Sequence, residues 1–223
     1  MSKLIVKPRV WAVLGAALSM MAMGYVSDMA YAGENARENE GPWLIRGRAI
    51  WVAPDEDASI TAIGGTADID DAVMPELDIS YFFTDNIAAE LILAVSSHDV
   101  AAVGTALGNV DLGDVWLLPP TLLLQYHFTP HAQFRPYAGA GINYTIFFNA
   151  DAAGGAVTNV DYDNALGWAL QAGVDYDLGG GWLLNADLKK LFLSTDISLN
   201  GGAIVADVDI DPWIFGVGFG YRF

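Results

Sequence analysis

The residues that could support catalysis are few, and the first candidates lie in the sequence SSHD at positions 96–99. A serine nucleophile needs a histidine that is held in place by a third group, and the three side chains must meet. Adjacent side chains of an extended segment point to opposite faces, so the members of this segment cannot converge. The chain has three histidines, His98, His127 and His131, and no second candidate arrangement. We therefore expect no catalytic residues and a protein that is not an enzyme.

The second group with possible chemistry is DVDIDP, in which Asp207, Asp209 and Asp211 would share one face of a strand. Calcium takes several oxygen ligands at close range, which such a row could begin to supply. The segment lacks the glycine and the distal glutamate of an EF-hand loop. The chain has no cysteine, which excludes thiol chemistry and cysteine-based metal sites. We expect neither a metal nor a cofactor.

The elements that would position these residues are indicated by the last segment, DPWIFGVGFGYRF. Every second residue is apolar or aromatic, and glycines and Arg222 occupy most of the positions between them. Successive side chains of a strand point to opposite faces, so one face of this strand is wholly apolar. The pattern is typical of a strand with lipid on one side. The residues of this apolar face are Trp213, Phe215, Val217, Phe219, Tyr221 and Phe223.

The N-terminus has the features of a secretory signal peptide. Three cations precede an apolar run over positions 10–26, and MAYA then supplies a small-x-small cleavage site ending at Ala32. A retained membrane anchor fits less well, because the run is close to the lower length limit of a spanning helix. We predict a signal peptide over residues 1–32 and a mature domain over residues 33–223.

The alternation recurs along most of the predicted mature domain, in segments of the length of tilted membrane-spanning strands. A closed barrel satisfies every backbone N–H and C=O between its strands, so an exported chain can cross a membrane in this form. We predict an all-β fold, an eight-stranded antiparallel transmembrane β-barrel of the outer membrane. The predicted strands lie at 42–52, 74–83, 87–95, 116–128, 136–148, 166–178, 182–195 and 203–223.

The connections between these strands alternate in length. Short ones are predicted at 84–86, 129–135 and 179–181, and short turns of such barrels lie on the periplasmic side. Long polar loops are predicted on the outside at 54–72, 97–115 and 149–164, with a hairpin tip near Asn200 and Gly201.

Four stretches resemble the outer membrane protein W (OmpW) family: LPPTLLLQYHF at 118–128, FRPYAGAGINYTIFF at 134–148, QAGVDY at 171–176, and the C-terminal DPWIFGVGFGYRF. The resemblance runs in order over nearly all of the predicted mature domain. It implies an outer-membrane barrel that has an apolar interior pocket and is associated with permeation of small hydrophobic molecules. The terminal YRF is typical of the signal for the outer-membrane assembly machinery, which makes this machinery an expected partner through Phe223.

Inward-facing residues near the periplasmic end are predicted to form a polar plug, because the cations among them have acidic neighbours. An eight-stranded barrel is just filled by side chains, so we expect no aqueous pore. The predicted plug residues are Arg46, Arg48, Asp78, Glu90, Asp175, Asp187, Lys189 and Arg222.

Farther outward the same faces become apolar and are predicted to line a cup open to the outside. Small hydrophobic solutes would enter this cup, and the plug would force them to leave sideways. The predicted lining residues are Ile50, Val52, Ile92, Ala94, Phe147, Leu191 and Leu193.

Two local features leave alternatives open. Pro119 and Pro120 cannot donate ladder hydrogen bonds, so they either open a gap in the wall or merely start a strand. Lys189 and Lys190 must face opposite ways, and Lys189 fits the lumen beside Glu90 or Asp187. Lys190 then falls on the lipid face, where a bulge restores the phase or the side chain snorkels to the interface.

The outer segments are strongly acidic, in a chain whose net charge is −17. Neither 49–134 nor 136–188 contains a lysine or an arginine, so we expect no nucleic-acid partner. The carboxylates either bind divalent cations together with lipopolysaccharide phosphates or are simply hydrated. Expected partners are outer-membrane lipids and lipopolysaccharide. The alternative function is a non-transporting surface barrel whose loops contact lipopolysaccharide, phage, bacteriocin or host.

Overall fold

A computed structural model describes residues 41–60, 64–155 and 157–223 of the chain. The predicted signal peptide at 1–32 lies outside the described residues and stays a prediction. Within the described part, no helix has the length and hydropathy of a membrane-spanning segment.

The described residues form fifteen strands, each bounded by turns or short irregular segments. They are β1 (Trp43–Ala53), β2 (Asp57–Ile60), β3 (Thr66–Ile69), β4 (Ala72–Phe82), β5 (Ile87–Ala94), β6 (Ser96–Thr105), β7 (Gly108–Leu118), β8 (Thr121–His127), β9 (Phe134–Ala152), β10 (Val160–Tyr162), β11 (Ala165–Gly179), β12 (Trp182–Phe192), β13 (Ser194–Leu199), β14 (Ile204–Asp209) and β15 (Trp213–Arg222).

Eight of these strands close into a ring. Antiparallel pairing runs from β1 through β4, β5, β8, β9, β11, β12 and β15, and β15 pairs back onto β1. The closing ladder extends from Leu44–Arg222 to Ala53–Trp213. The prediction of an eight-stranded antiparallel barrel is confirmed.

The alternation along β1 shows why this sequence forms a barrel wall. Leu44, Arg46, Arg48 and Ile50 are buried in the lumen, whereas the residues between them face outward. Outward aromatic side chains cluster near the end of the wall, where the rings of Trp43 and Tyr81 pack edge to face at 4.8 Å. Because lumen and lipid faces alternate residue by residue, one strand supplies both a polar interior and an apolar exterior.

The three predicted short connections are confirmed between β4 and β5, between β8 and β9, and between β11 and β12. We call this end of the barrel the turn end. Gly180 and Gly181 adopt φ values of 64° and 84°, which a tight turn requires and only glycine accepts freely. Both the first and the last barrel strand reach the turn end, where Trp43 and Phe223 exchange backbone hydrogen bonds of 3.1 and 2.9 Å.

The prediction of long irregular loops at the opposite end, the hairpin end, is wrong. The segments 97–105 and 108–115 belong to β6 and β7, which pair with each other and prolong the wall. A second sheet is formed in the order β10, β13, β14 and β2. These segments alternate small apolar residues with aspartates, so they bury one face over the lumen and hydrate the other. The polar, acidic composition of 54–72, 97–115 and 149–164 suggested loops, but a period of two in hydrophobicity favours strands. β14 lies within the strand predicted at 203–223.

Candidate functional site: an ionic layer beneath an apolar cup

The lumen nearer the turn end contains a layer of charged side chains that we call the ionic layer. None of its members is more than 5% exposed. Seven of the eight predicted plug residues belong to it, and Glu76 joins them. Its cations are Arg46, Arg48 and Lys189, and its carboxylates are Glu76, Asp78, Glu90, Asp175 and Asp187.

Arg46 lies at the lower side of the layer and binds two carboxylates from different strands. Its Nε and Nη2 atoms donate to the two oxygens of Asp175 at 3.1 and 2.6 Å, and its Nη1 donates to Glu90 at 2.9 Å. The paired bonds to Asp175 use the planar fork of the guanidinium, which fixes both groups. Ser80 accepts a further bond from Nη1 at 3.0 Å.

Arg48 is the centre of the layer. It forms ion pairs with Asp187, with Glu90 at 3.0 Å and with Asp78 at 2.9 Å. Glu76 lies 3.4 Å from the same guanidinium and 2.6 Å from the ammonium of Lys189. Every cation therefore has several carboxylates around it, as buried charges require.

Two amides connect the carboxylates. Gln171 donates to Glu90 and to Asp187 at 2.8 Å each, and Gln125 donates to Glu90 at 2.8 Å and to the Gln171 carbonyl at 2.7 Å. Strand parity predicts that both amides face inward, and their bonds to Glu90 and Asp187 join them to the ionic layer.

Arg222 was predicted in the plug, and the structure places it nearer the turn end. Its guanidinium lies 3.9 Å from the ring centroid of Phe82, and its Nε donates to the Gly41 carbonyl at 3.0 Å. Between this level and the ionic layer, His127 stacks on Tyr137 at 5.0 Å.

Above the ionic layer the lumen becomes apolar. The cup is a partly enclosed cavity, and its wall is almost wholly apolar. All seven residues predicted to line it are on its wall: Ile50, Val52, Ile92, Ala94, Phe147, Leu191 and Leu193. Glu76 and Lys189 form part of its floor, where the cup meets the ionic layer. That these residues line a route for a solute stays a prediction.

Sequence reasoning missed the upper wall of the cup. Val100, Val115, Ile197 and Val208 line it from the strands of the hairpin end. Val100 and Val115 were overlooked because the segment 97–115 was predicted to be a long polar loop, whereas Val208 lies within the strand predicted at 203–223. Their apolar spacing at every second position was the signal that could have revealed them.

A few polar groups reach the upper cup. His98 makes a 3.0 Å hydrogen bond through Nδ1 to the carbonyl of Asp70. The ring of Tyr162 stacks on Phe147 at 5.5 Å, and its hydroxyl is buried without a hydrogen-bond partner among the described residues. Burial, and to a smaller extent the negative charge of Asp114, raises the pKa of Tyr162, so this phenol stays protonated.

The candidate catalytic and metal residues do not form a site. Ser96 and His98 are buried toward the cup, whereas Asp99 is exposed on the opposite face. The row of aspartates continues outward above the barrel wall, with Asp207 and Asp209 exposed on β14. The pairing of β12 with β15 and of β13 with β14 keeps one register across Pro212, so no phase shift moves these carboxylates.

Lys190 follows the snorkelling alternative. The ladder of β11 and β12 passes through Lys189 and Lys190 without a bulge, so Lys190 faces outward. Its ammonium reaches up to Asp55 at 3.2 Å and to the backbone carbonyl of Asp211. It also lies 5.0 Å from the ring centroid of Trp213. The charge is thereby carried to the edge of the apolar band.

The two prolines lie in an interruption of the wall. The pairing of β5 with β8 extends to Ile92–Thr121, and the pairing of β6 with β7 begins at Ser96–Leu117. On the other side, Tyr144 N–H donates to the Pro120 carbonyl at 3.0 Å, which ties the prolines to β9. The described part of the wall has no ladder pairing on the other side of the prolines, between Ala94 and Pro119, and we call this unpaired stretch the proline seam.

A closed antiparallel barrel with an apolar outer face and a layer of buried polar side chains in its lumen is typical of an outer-membrane β-barrel protein. The family model for the OmpW family matches residues 39–223. The chain belongs to the OmpW family, and it is a protein of the outer membrane.

Known proteins agree with this assignment. The uncharacterized outer-membrane protein y4mB of Sinorhizobium fredii is 44% identical over 199 residues, which are 87% of this chain and 86% of the relative. The dibenzothiophene metabolism operon protein PahQ of Pseudomonas aeruginosa is 32% identical over 192 residues, 82% of this chain and 90% of the relative. The crystal structure of OprG from Pseudomonas aeruginosa superimposes with a TM-score of 0.76 at 32% identity, covering 83% and 97% of the two chains.

Proposed function

We propose that this barrel aids the passive permeation of small hydrophobic molecules across the outer membrane. A solute enters the cup from outside, is stopped by the ionic layer, and leaves sideways into the membrane. The observation that supports this most strongly is the abrupt change from an apolar cup to a buried ionic layer within one lumen.

The energies of the two regions favour this route. Burial of about 150 Å² of apolar solute surface in the cup would gain roughly 4 kcal/mol. Passage along the axis would instead separate buried ion pairs, and breaking one such pair costs about 3–5 kcal/mol. An apolar solute cannot replace the broken ion pairs, so its passage along the barrel axis through the ionic layer is unfavourable.

The proline seam is one place where the wall could let a solute out. Prolines have no N–H to donate, so opening the strands beside Ala94 and Pro119 breaks fewer ladder bonds than opening them elsewhere. Both residues line the cup, which places the seam beside the solute. PahQ, by its name, belongs to a dibenzothiophene metabolism operon, and an apolar aromatic solute of that kind suits this cup.

The partners follow from the same surfaces. The outward apolar side chains of the barrel contact membrane lipids. The acidic hairpin end is proposed to meet lipopolysaccharide through divalent cations. Phe223, whose side chain is 52% exposed at the turn end, is proposed to bind the outer-membrane assembly machinery.

Filling the cup tests the proposal. Ala94→Trp adds bulk inside the cup, and Ala89→Trp adds the same bulk on the outward face of the same strand, which makes it a matched control. The rate of naphthalene uptake is measured in vesicles with a lipopolysaccharide outer leaflet. We expect Ala94→Trp to reduce uptake to the level of vesicles without protein and Ala89→Trp to leave it unchanged.

Two results would contradict the proposal. The wild-type barrel could give uptake no faster than empty vesicles, or Ala94→Trp could take up naphthalene as fast as the wild type. Either result would favour a surface barrel that displays its acidic hairpin end without conducting a solute.

A further inference from the structure

A shallow groove on the outer surface of the barrel meets the cup at a single residue, Leu193, which lines both. The base of the groove is aromatic, because the rings of Trp168 and Phe192 stack in parallel at 4.1 Å. Ile142 and Leu166 form its apolar sides and are 59% and 72% exposed. The groove therefore has an aromatic base and apolar sides, a polar edge formed by Ser194, Asp209 and Asp211, and contact with the cup through Leu193.

The wall is interrupted where the groove and the cup meet. The pairing of β11 with β12 ends at Trp168–Phe192, and β13 then pairs with β14 and β10 instead. The next cross-connection lies at Asp163, whose carbonyl accepts a 2.6 Å bond from the Thr195 hydroxyl and whose N–H donates a 3.0 Å bond to the Asp196 carbonyl. We call the unpaired stretch between these two points the Leu193 seam.

Leu193 covers this seam from the inside. Gly167 lies opposite it and has no side chain, and a Cβ placed on Gly167 would lie only 2.8 Å from the Cβ of Leu193. The Leu193 side chain is 6% exposed and occupies the space that a larger residue at Gly167 would fill. At this point one leucine side chain and the strand backbones separate the cup from the lipid-facing groove.

We infer that Leu193 is a gate through which a solute leaves the cup and that the Trp168–Phe192 groove is the site that receives it. This inference rests on the proposed permeation function and specifies its exit. The site takes an uncharged planar aromatic molecule, because its base is a pair of stacked rings. Asp209 and Asp211 at the groove edge would repel an anion.

The Leu193 seam differs from the proline seam in two respects. Its outer side carries a groove with an aromatic base, which shares Leu193 with the lining of the cup. Its inner side is covered by a side chain that can change rotamer, so opening it needs no movement of the strands tied by Tyr144 and Pro120.

A reversible staple tests the gate, and the absence of cysteine from the chain makes it specific. The variant Leu166→Cys/Ser194→Cys places two outward thiols opposite each other if the Trp168–Phe192 register continues by two residues. The control variant Ile79→Cys/Leu91→Cys places a staple across two strands that are already paired. Naphthalene uptake is measured in the same vesicles before and after reduction of the disulfide.

We expect the Leu193-seam staple to abolish most of the uptake, reduction to restore it, and the control staple to have no effect. The variant Val95→Cys/Leu118→Cys staples the proline seam in the same way. If uptake is lost only with this proline-seam staple, or with neither staple, the gate at Leu193 is wrong. Permeation itself would still stand in both cases, provided that the wild type exceeds empty vesicles.

A second variant gives an independent measurement. Leu193→Ala removes the covering side chain and is expected to raise the uptake rate, whereas Leu191→Ala enlarges the cup one step lower without touching the seam. Equal rates for the two variants would overturn the gate.

Discussion

The ionic layer and the apolar cup are built from the inward faces of the same strands, yet the inward side chains are charged in the layer and apolar in the cup. In β1 the change occurs between Arg48 and Ile50, and in β5 between Glu90 and Ile92. Two residues of a strand span roughly 7 Å, so the lumen changes from fully charged to apolar within that distance. The position of a residue along its strand, rather than the fold as a whole, determines whether that level of the lumen contains ion pairs or apolar side chains.

The difference lies in how each region tolerates change. The ionic layer is a network in which each cation pairs with several carboxylates, so the loss of one cation removes a partner from several buried carboxylates at once. The cup is held by non-directional apolar contacts, which accept small changes of volume at a modest cost.

The largest expected effect comes from breaking the network at its centre. Arg48→Met keeps most of the side-chain volume but leaves Asp78, Glu90 and Asp187 without their shared cation. We expect the free energy of unfolding to fall by about 3–5 kcal/mol. Ile50→Val, two residues away in the cup, should cost about 0.5–1.5 kcal/mol. Urea unfolding in lipid vesicles measures both, and equal losses would contradict the distinction between the two regions.

A smaller effect of opposite sign is expected in the cup. Tyr162→Phe removes a buried hydroxyl that has no hydrogen-bond partner among the described residues and keeps the ring stacked on Phe147. Relief of an unpaired polar group should raise stability by about 1 kcal/mol. Tyr144→Phe, on the exposed outer face, is the control and should change little. A clear loss of stability in Tyr162→Phe would show that its hydroxyl is satisfied after all.

The smallest effect is expected for the lysine outside the lumen. Lys190→Leu removes an ion pair with Asp55, whose side chain is 71% exposed, so the stability should change by less than about 1 kcal/mol. Lys189→Leu, the adjacent lumen residue, should cost several times more because it removes the nearest cation of the buried Glu76 carboxylate, whose other partner, Arg48, lies 3.4 Å away. The same unfolding measurement applies to both variants. Similar losses of stability would show that Lys190 contributes as much to stability as the buried Lys189.

These contrasts explain which features the sequence could predict. A period of two identifies the eight strands, and the parity of each strand separates lumen from lipid, so the inward residues of the layer and cup were found. Contacts such as Lys189 with Glu76, 113 positions apart, depend on how far neighbouring strands are staggered around the ring. No local pattern encodes that stagger. Strands β2, β3, β6 and most of β7 were missed because the aspartates of 54–72 and 97–115 resemble those of a polar loop.

The ladder that joins the first and last barrel strands has a consequence for biogenesis. Because β15 pairs with β1 on one side and β12 on the other, a chain that stops before Trp213 would leave two open edges. Unpaired backbone groups are very costly in hydrocarbon, so such a fragment has no stable inserted form. Closure of the barrel therefore depends on the last strand, and stable insertion into the membrane requires the chain through β15.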